Sequence, residues 1–284
     1  MKRRLIHHAV RFAAGLCALL ACGVLGLILW AIASRGWPAV SWTFLVEQIR
    51  LVGAEGGIFY NLIGTGILLL TAFVACTPVA MGLALVHGIY LRDHRHRGKL
   101  TLLLYLLNGV PSILFGIFGM LVFVQWLGWG KSWLAGGLVL ALMILPTVTV
   151  ALIERIASLP NRYLEAAAGL GLRQSRIIRA VVIPQSIGGL VTGSLLGLAR
   201  AAGETAPIMF TATIFAGATV PGGIKESPVL SLPYHIFILA QDSYDPAVGA
   251  KVWGTALVLL ALVFLLSLVA LPARLKIHEE AHHG

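Results

Sequence analysis

Long apolar runs separated by short charged stretches dominate this chain, and their lengths set the first expectation. A bilayer core needs roughly 20 apolar residues per helix. By that rule, spans fall near residues 12–33, 60–89, 100–127, 133–153, 185–215 and 252–273. The second and fifth exceed one crossing, so each is expected to tilt, to kink at Pro78 or Pro207, or to run past the bilayer. A basic start and the tripeptide Ala31-Ile32-Ala33 imitate a signal peptide, but the first run is longer than the about 7–15 apolar residues of such a segment, so a retained helix is expected. The pattern predicts an all-α polytopic membrane protein of six helices, with 1–284 as one transmembrane domain. Two connections carry extra features. Residues 34–58 include Trp37, Trp42 and Phe44, which suit a membrane interface, and the apolar stretch 232–240 is too short to span and should lie flat or re-enter.

Composition sharpens that reading. With 58% hydrophobic residues, 11% charged and a mean hydropathy of +0.91, the 284-residue chain has too little polar surface to cover a soluble globule. A net charge of +10 would suit nucleic acid. The charges, however, sit in short clusters between apolar runs, with no basic face interleaved with aromatics, which argues against nucleic acid and for membrane lipid as the contact. Fifteen Lys and Arg fall on the segments that share a side with the N-terminus and five on the other, with Arg200 inside a span, so both termini are expected in the cytoplasm. Cys17, Cys22 and Cys76 lie within apolar runs and read as small buried hydrophobes.

Between the fourth and fifth spans, residues 155–184 are less apolar yet still periodic. Leu164, Ala167, Ala168, Ile177, Ile178, Val181 and Val182 recur at steps of three and four, while Arg173, Arg176 and Arg179 fall near one face. Glu165 opens a helix-forming EAAA run, and Gly171 follows where a helix can stop and turn. A short helix, a turn and a second, basic amphipathic helix are expected. The element reads either as lying on anionic headgroups or as a handle for a partner.

The fifth span carries the other unusual pattern. Gly189, Gly193 and Gly197 form a stripe that permits close helix packing. At about 100° per residue, Arg200 and Glu204 project onto the same face, which places a charged pair beside the packing seam. A charge this deep needs protein, water or a partner around it. The pair reads either as an ion lock between helices or as part of an anion path, with Arg200 lining it and Glu204 holding or releasing the anion. Thr205 adjoins the pair, and Asn108 and Ser112 of the third span are further polar candidates for that path; Thr65 is another, although such residues more often hydrogen-bond neighbouring helices.

Two motifs carry a resemblance. Glu165, Ala166, Ala167, Gly171 and Pro184, with Val181 and Ile183 at the aliphatic positions, resemble the EAA signature of bacterial ABC importer permeases. That likeness implies that the helix-turn-helix docks in a cleft of an ATP-hydrolysing subunit and passes its movement to the membrane helices. ARAAGETAP at 199–207, GVPSILFG at 109–116, the layout of the second span and the LPYHIFILAQ segment resemble the permease family of the high-affinity phosphate importer, from about residue 55 onward. The short outer N-terminal loop, the late signature and the six spans look more like its PstA branch than its PstC branch. The resemblance implies a type I ABC importer permease fold in a bacterial inner membrane and passage of inorganic phosphate. Its implied partners are a PstC-like second permease, a cytoplasmic ATPase dimer and a periplasmic phosphate-binding protein. No cofactor is expected on this chain, since ATP and Mg are used by the partner ATPase.

Other chemistry is sparse. Gly130-Lys131-Ser132 ends like a phosphate-binding loop, but Gln125 stands where its first glycine belongs, so the chain is not expected to hydrolyse ATP. No nucleophile beside a base and no zinc spacing appear. His278, Glu279, Glu280, His282 and His283 lack rigid spacing and read as a solvated tail, while His94 and His96 belong to a basic loop with Arg92, Arg95 and Arg97. The rival readings are a permease for phosphonate, sulfate or molybdate, an ion-coupled secondary transporter, which would show inverted repeats, and a non-transporting anchor.

Overall fold

A computed structural model of the protein describes residues 2–50, 55–91, 96–215, 217, 220–242 and 246–282. The loop residues Arg92, His94 and Arg95 and the side chains of the histidine-rich tail lie outside the described residues. Helix α1 (Lys2–Gly36) leads through a short turn into α2 (Trp42–Val46) and a two-residue antiparallel pairing of β1 (Ile49–Arg50) with β2 (Glu55–Gly56). Then follow α3 (Phe59–Leu85), α4 (His96–Gly109), α5 (Ser112–Gly119), α6 (Trp133–Ala157), α7 (Asn161–Gly169), α8 (Gln174–Ile177), α9 (Ile183–Ala202), α10 (Ala206–Thr211), α11 (Leu232–Leu239) and α12 (Pro246–His282).

Among the described residues, five helical stretches are long and apolar enough to cross a membrane: Val10–Ala39, Phe59–Tyr90, Trp133–Ala157, Gln174–Ala202 and Val248–Val269. The crossing expected at 100–127 is not one helix. Its halves, His96–Gly109 and Ser112–Trp126, meet at 92°. Pro111 has no N–H to donate and disfavours helical backbone at Val110, and it adopts an extended ψ of 135° before α5 begins. Counting the bent pair as one crossing gives the expected six.

The span expected at 185–215 also ends early. Helix α9 stops at Ala202, with Gly203 at its C-cap, and Pro207 lies in the first turn of α10, where a missing N–H costs nothing. Pro207 therefore starts a new helix rather than kinking an old one. Pro78, by contrast, stays inside an unbroken α3.

Helix α6 is the centre of the bundle. Of its most apolar stretch 61% is buried, against none for α1, and it packs between α3 and α9, with α12 on the far side of α9. Leu140, Ile144, Val148 and Leu152 of α6 meet Leu68, Ala72 and Cys76 of α3 and Ala201 of α9 in one core. Helix α1 touches the bundle near its end, where Gly36 abuts Trp253 and the Arg35 guanidinium sits 5.0 Å from the Trp253 ring. Its exposed Leu19, Leu27 and Trp30 need an apolar surrounding, which a bilayer supplies. Cys17 and Cys22 share that exposed surface, so only Cys76 of the three cysteines is buried as expected.

The two connections divide differently from the expectation. Trp37 and Trp42 are exposed, but Phe44 is buried with Ile58 and Leu232 and ties α2 to α11. Helix α11 inserts into the bundle rather than lying flat: Leu232, Pro233, His235 and Leu239 are buried. The Leu232 N–H donates to Thr65 Oγ1 at 3.0 Å and Asn61 Nδ2 donates to the Ser231 carbonyl at 3.3 Å. Thr65 thus serves packing.

Candidate functional site

The 155–184 segment folds into a hairpin of two helices. After α7 the chain closes with the Leu172 N–H on the Ala167 carbonyl and the Gly171 N–H on that of Ala168, the paired bonds of a Schellman turn. Gly171 has φ +70°, a conformation that a side chain strains. Glu165 and Ala166 are exposed, while Ala167 is buried and Leu164 packs α7 against the core. Beyond the turn, Arg173, Arg176 and Arg179 are exposed and line an open cavity of about 590 Å³ together with Gly171 and Ser175. Pro184 has no N–H for the helical bond to Ala180, and the chain widens into a π turn over Ile178–Val182 just before it. Helix nevertheless runs unbroken over Gln174–Ala202. At about 1.5 Å per residue, those 29 residues reach about 43 Å from the turn to the charged pair.

The glycine stripe faces α6. A Cβ on Gly189 would stand 2.5 Å from Arg155 Cβ, one on Gly193 2.8 Å from Ala151 Cβ, and one on Gly197 3.1 Å from Ile144 Cβ. Hence α9 lies on α6 at a distance that side chains would prohibit.

The Arg200 side chain is 40% exposed, and Glu204, beyond the end of α9, is 19% exposed. Arg200 Nε and Glu204 Oε1 are 3.9 Å apart, a long contact at the limit of an ion pair. The shorter bond crosses to α4, where Arg200 Nη1 donates to Asn108 Oδ1 at 3.0 Å, and Thr147 Oγ1 of α6 reaches the same oxygen at 3.5 Å. Arg200 therefore stands at the junction of three helices with much of its fork open. Thr205 begins α10, and its carbonyl accepts from the Met209 N–H.

Breaks in the chain bring the two motif regions together. Ser112 starts α5 just after the bend, and α5 packs on α10: a Cβ on Gly116 would stand 2.9 Å from Pro207 Cα and 3.0 Å from the Ala206 carbonyl. Lys131 braces the far end of α10, donating to the carbonyls of Met209 at 3.0 Å and Thr213 at 3.3 Å. Ser132 caps α6 by accepting from the Ala135 N–H. Structural duties thus account for the truncated phosphate-loop motif. Thr147 and the bracing by Lys131 were not foreseen; the one signal for Thr147 was a hydroxyl beside Pro146 inside an apolar run.

A bundle of five spanning helices and a bent pair, with a two-helix hairpin at one end, defines an all-α polytopic permease. In structure the chain is similar to the MetNI methionine ABC transporter in inward-facing conformations, with a TM-score of 0.56 at 15% identity over 78% of this chain and 97% of that one. That likeness is one of fold, the type I ABC importer permease fold. Residues 77–272 match the family described as binding-protein-dependent transport system inner membrane component, and the chain belongs to that family. It is 35% identical over 281 residues to phosphate transport system permease protein PstA 2 of Mycobacterium bovis, across 94% of this chain and 87% of that relative. It is 30% identical over 249 residues to phosphate transport system permease protein PstA of Pasteurella multocida, across 86% and 85%. The resemblance drawn from the two motifs is borne out. The chain is a multi-pass inner-membrane transport subunit whose family works with another permease and an ATPase.

Proposed function

We propose that the chain forms one half of an ATP-driven import path for inorganic phosphate, paired with a PstC-like permease and served by a periplasmic phosphate-binding protein. The observation that carries the reading is the open guanidinium of Arg200, held at 3.0 Å by Asn108 at the end of an unbroken helix that starts at the α7–α8 hairpin. A guanidinium stays ionised and presents several fixed donors, which suits a tetrahedral oxyanion. An ion lock would bury its charges and hold them close, whereas this pair is 3.9 Å apart with Arg200 40% exposed. The names of the relatives support phosphate over sulfate or molybdate. In this reading the hairpin faces the cytoplasm and contacts the ATPase through Glu165, Ala166 and the turn at Gly171, with the buried Ala167 behind that surface rather than on it, both termini are cytoplasmic, and ATP and Mg are bound by the partner. Asn108, Ser112, Glu204 and Thr205 border the path beside Arg200.

Competition in proteoliposomes holding the complete complex tests the substrate. Labelled phosphate uptake should persist in excess sulfate or molybdate and disappear in excess unlabelled phosphate. Preferential displacement by another oxyanion, or uptake driven by an ion gradient without ATP, would overturn the assignment.

A further inference from the structure

The turn between α9 and α10 places a carboxylate where a path for anions has no obvious use for one. The Gly203 N–H bonds to the Arg200 carbonyl at 3.2 Å and the Glu204 N–H to that of Ala201 at 3.1 Å, so the chain folds back at the end of α9 and keeps Glu204 beside Arg200. Arg200 Nε and Glu204 Oε1 stand 3.9 Å apart, too far for a hydrogen bond, and the carboxylate accepts none from a described residue. Both side chains are partly exposed, so an oxyanion seated on Arg200 also meets Glu204. Asn108 adds to the donor side. Arg200 can only donate, so the amide atom 3.0 Å from its Nη1 is the oxygen, an orientation that the Thr147 hydroxyl supports by donating to the same atom at 3.5 Å. The Asn108 Nδ2 hydrogens then remain, and they bond to no described residue. Beside the open guanidinium thus stand the free donors of Arg200 and Asn108 and a Glu204 carboxylate that can only accept.

Donors alone would take any oxyanion. A carboxylate repels an anionic oxygen that carries no proton and forms a strong hydrogen bond with one that does. We infer that Glu204 makes the path selective for an oxyanion that bears an O–H. Hydrogen phosphate binds with its unprotonated oxygens on Arg200 and Asn108 Nδ2 and donates its O–H to Glu204, whereas a fully deprotonated oxyanion such as sulfate or molybdate is repelled there. Selectivity is then built into the membrane path itself, in addition to any exercised before the anion arrives. The inference rests on the reading of Arg200 as lining an anion path.

Anion binding to the complex of both permeases and the ATPase in nanodiscs, without the binding protein, isolates the path from earlier selection. Labelled phosphate is displaced with unlabelled phosphate, sulfate or monofluorophosphate at about pH 8, where each is mainly a dianion and only phosphate carries an O–H. Fluorophosphate keeps the tetrahedral phosphorus and the charge, and loses the O–H alone. A hydrogen bond to a charged acceptor is worth about tenfold or more in affinity, so phosphate should displace the label at a concentration lower by about that factor than either competitor needs. In Glu204→Gln, whose amide is uncharged and can both donate and accept, the three anions should fall within about threefold of one another. The wild-type ranking requires no substitution, so the proposal remains testable if that variant does not assemble. Equal displacement by phosphate and fluorophosphate in wild type, or a gap that survives Glu204→Gln in an assembled complex, would overturn the proposal while leaving the path reading intact. No saturable phosphate binding to the wild-type complex, or binding unaffected by Arg200→Gln, would overturn the path reading and the proposal with it.

Discussion

Replacing Arg200 with Gln separates a path residue from a structural lock, because the two roles predict opposite pairs of numbers. The substitution removes a 3.0 Å bond to Asn108 and a 3.9 Å contact with Glu204, at a site where the Arg200 side chain is 40% exposed. Solvent screens such contacts, and exposed ion pairs contribute at most about 1 kcal/mol, so the complex should assemble and melt within a few degrees of wild type. Loss of a charged donor to a desolvated anion costs about 3 kcal/mol, or roughly a hundredfold. Initial phosphate uptake in proteoliposomes should therefore fall by about that factor, with Arg200→Lys recovering part of it because the charge returns without the fork. Thermal melting of the purified complex and initial uptake rates would be measured on the same preparations. Uptake within about twofold of wild type in an intact complex would refute the path role. Failure to assemble would refute the energetic argument and favour the lock.

Three further substitutions probe the hairpin, the seam and the buried helix α11. Gly171→Val should strain the φ +70° turn by about 1–3 kcal/mol and displace α7, giving a complex whose ATP turnover no longer tracks phosphate uptake; tight coupling in that variant would contradict the docking role. Gly193→Leu should push α9 off α6, since a Cβ there already stands 2.8 Å from Ala151 Cβ, and lower the melting temperature by the about 1–3 kcal/mol of an overpacked core. His235 lies in α11, outside the spanning helices, where burial and then the nearby Lys251 ammonium pull its imidazole down to about 4. It stays neutral when folded, while the unfolded chain takes up a proton below about pH 6.5, so stability is lost as pH falls from there toward 4, by at most about 3 kcal/mol. His235→Gln should flatten that part of the melting profile, and an unchanged acid slope would show that other groups set it.

Much of the architecture was legible because the apolar runs are long and their punctuation is chemical. The hairpin was readable from Glu165 through Gly171, since an EAAA run followed by glycine specifies a helix, a left-handed residue and a turn. What failed was extrapolation past local breaks. Projection of Glu204 onto α9 assumed a continuous helix, but Gly203 ends it and Pro207 initiates the next. The same assumption straightened the third span across Pro111. Arg200 was found by its cost in an apolar run, but a helical wheel fixes an angle and not which neighbour occupies it. Its bond to Asn108 joins residues 92 positions apart and depends on the bend at Pro111. Lys131, set aside in the sequence as a fragment of a nucleotide motif, serves the fold as a brace.

Phosphate uptake by proteoliposomes holding this chain with its permease partner, the ATPase and the binding protein, measured with ATP and with a non-hydrolysable analogue, addresses the central claim most directly. Accumulation of labelled phosphate that requires ATP hydrolysis, and that collapses with Arg200→Gln in an intact complex, is the predicted result. Accumulation that proceeds equally with the analogue, or that ignores the loss of Arg200, would contradict the account.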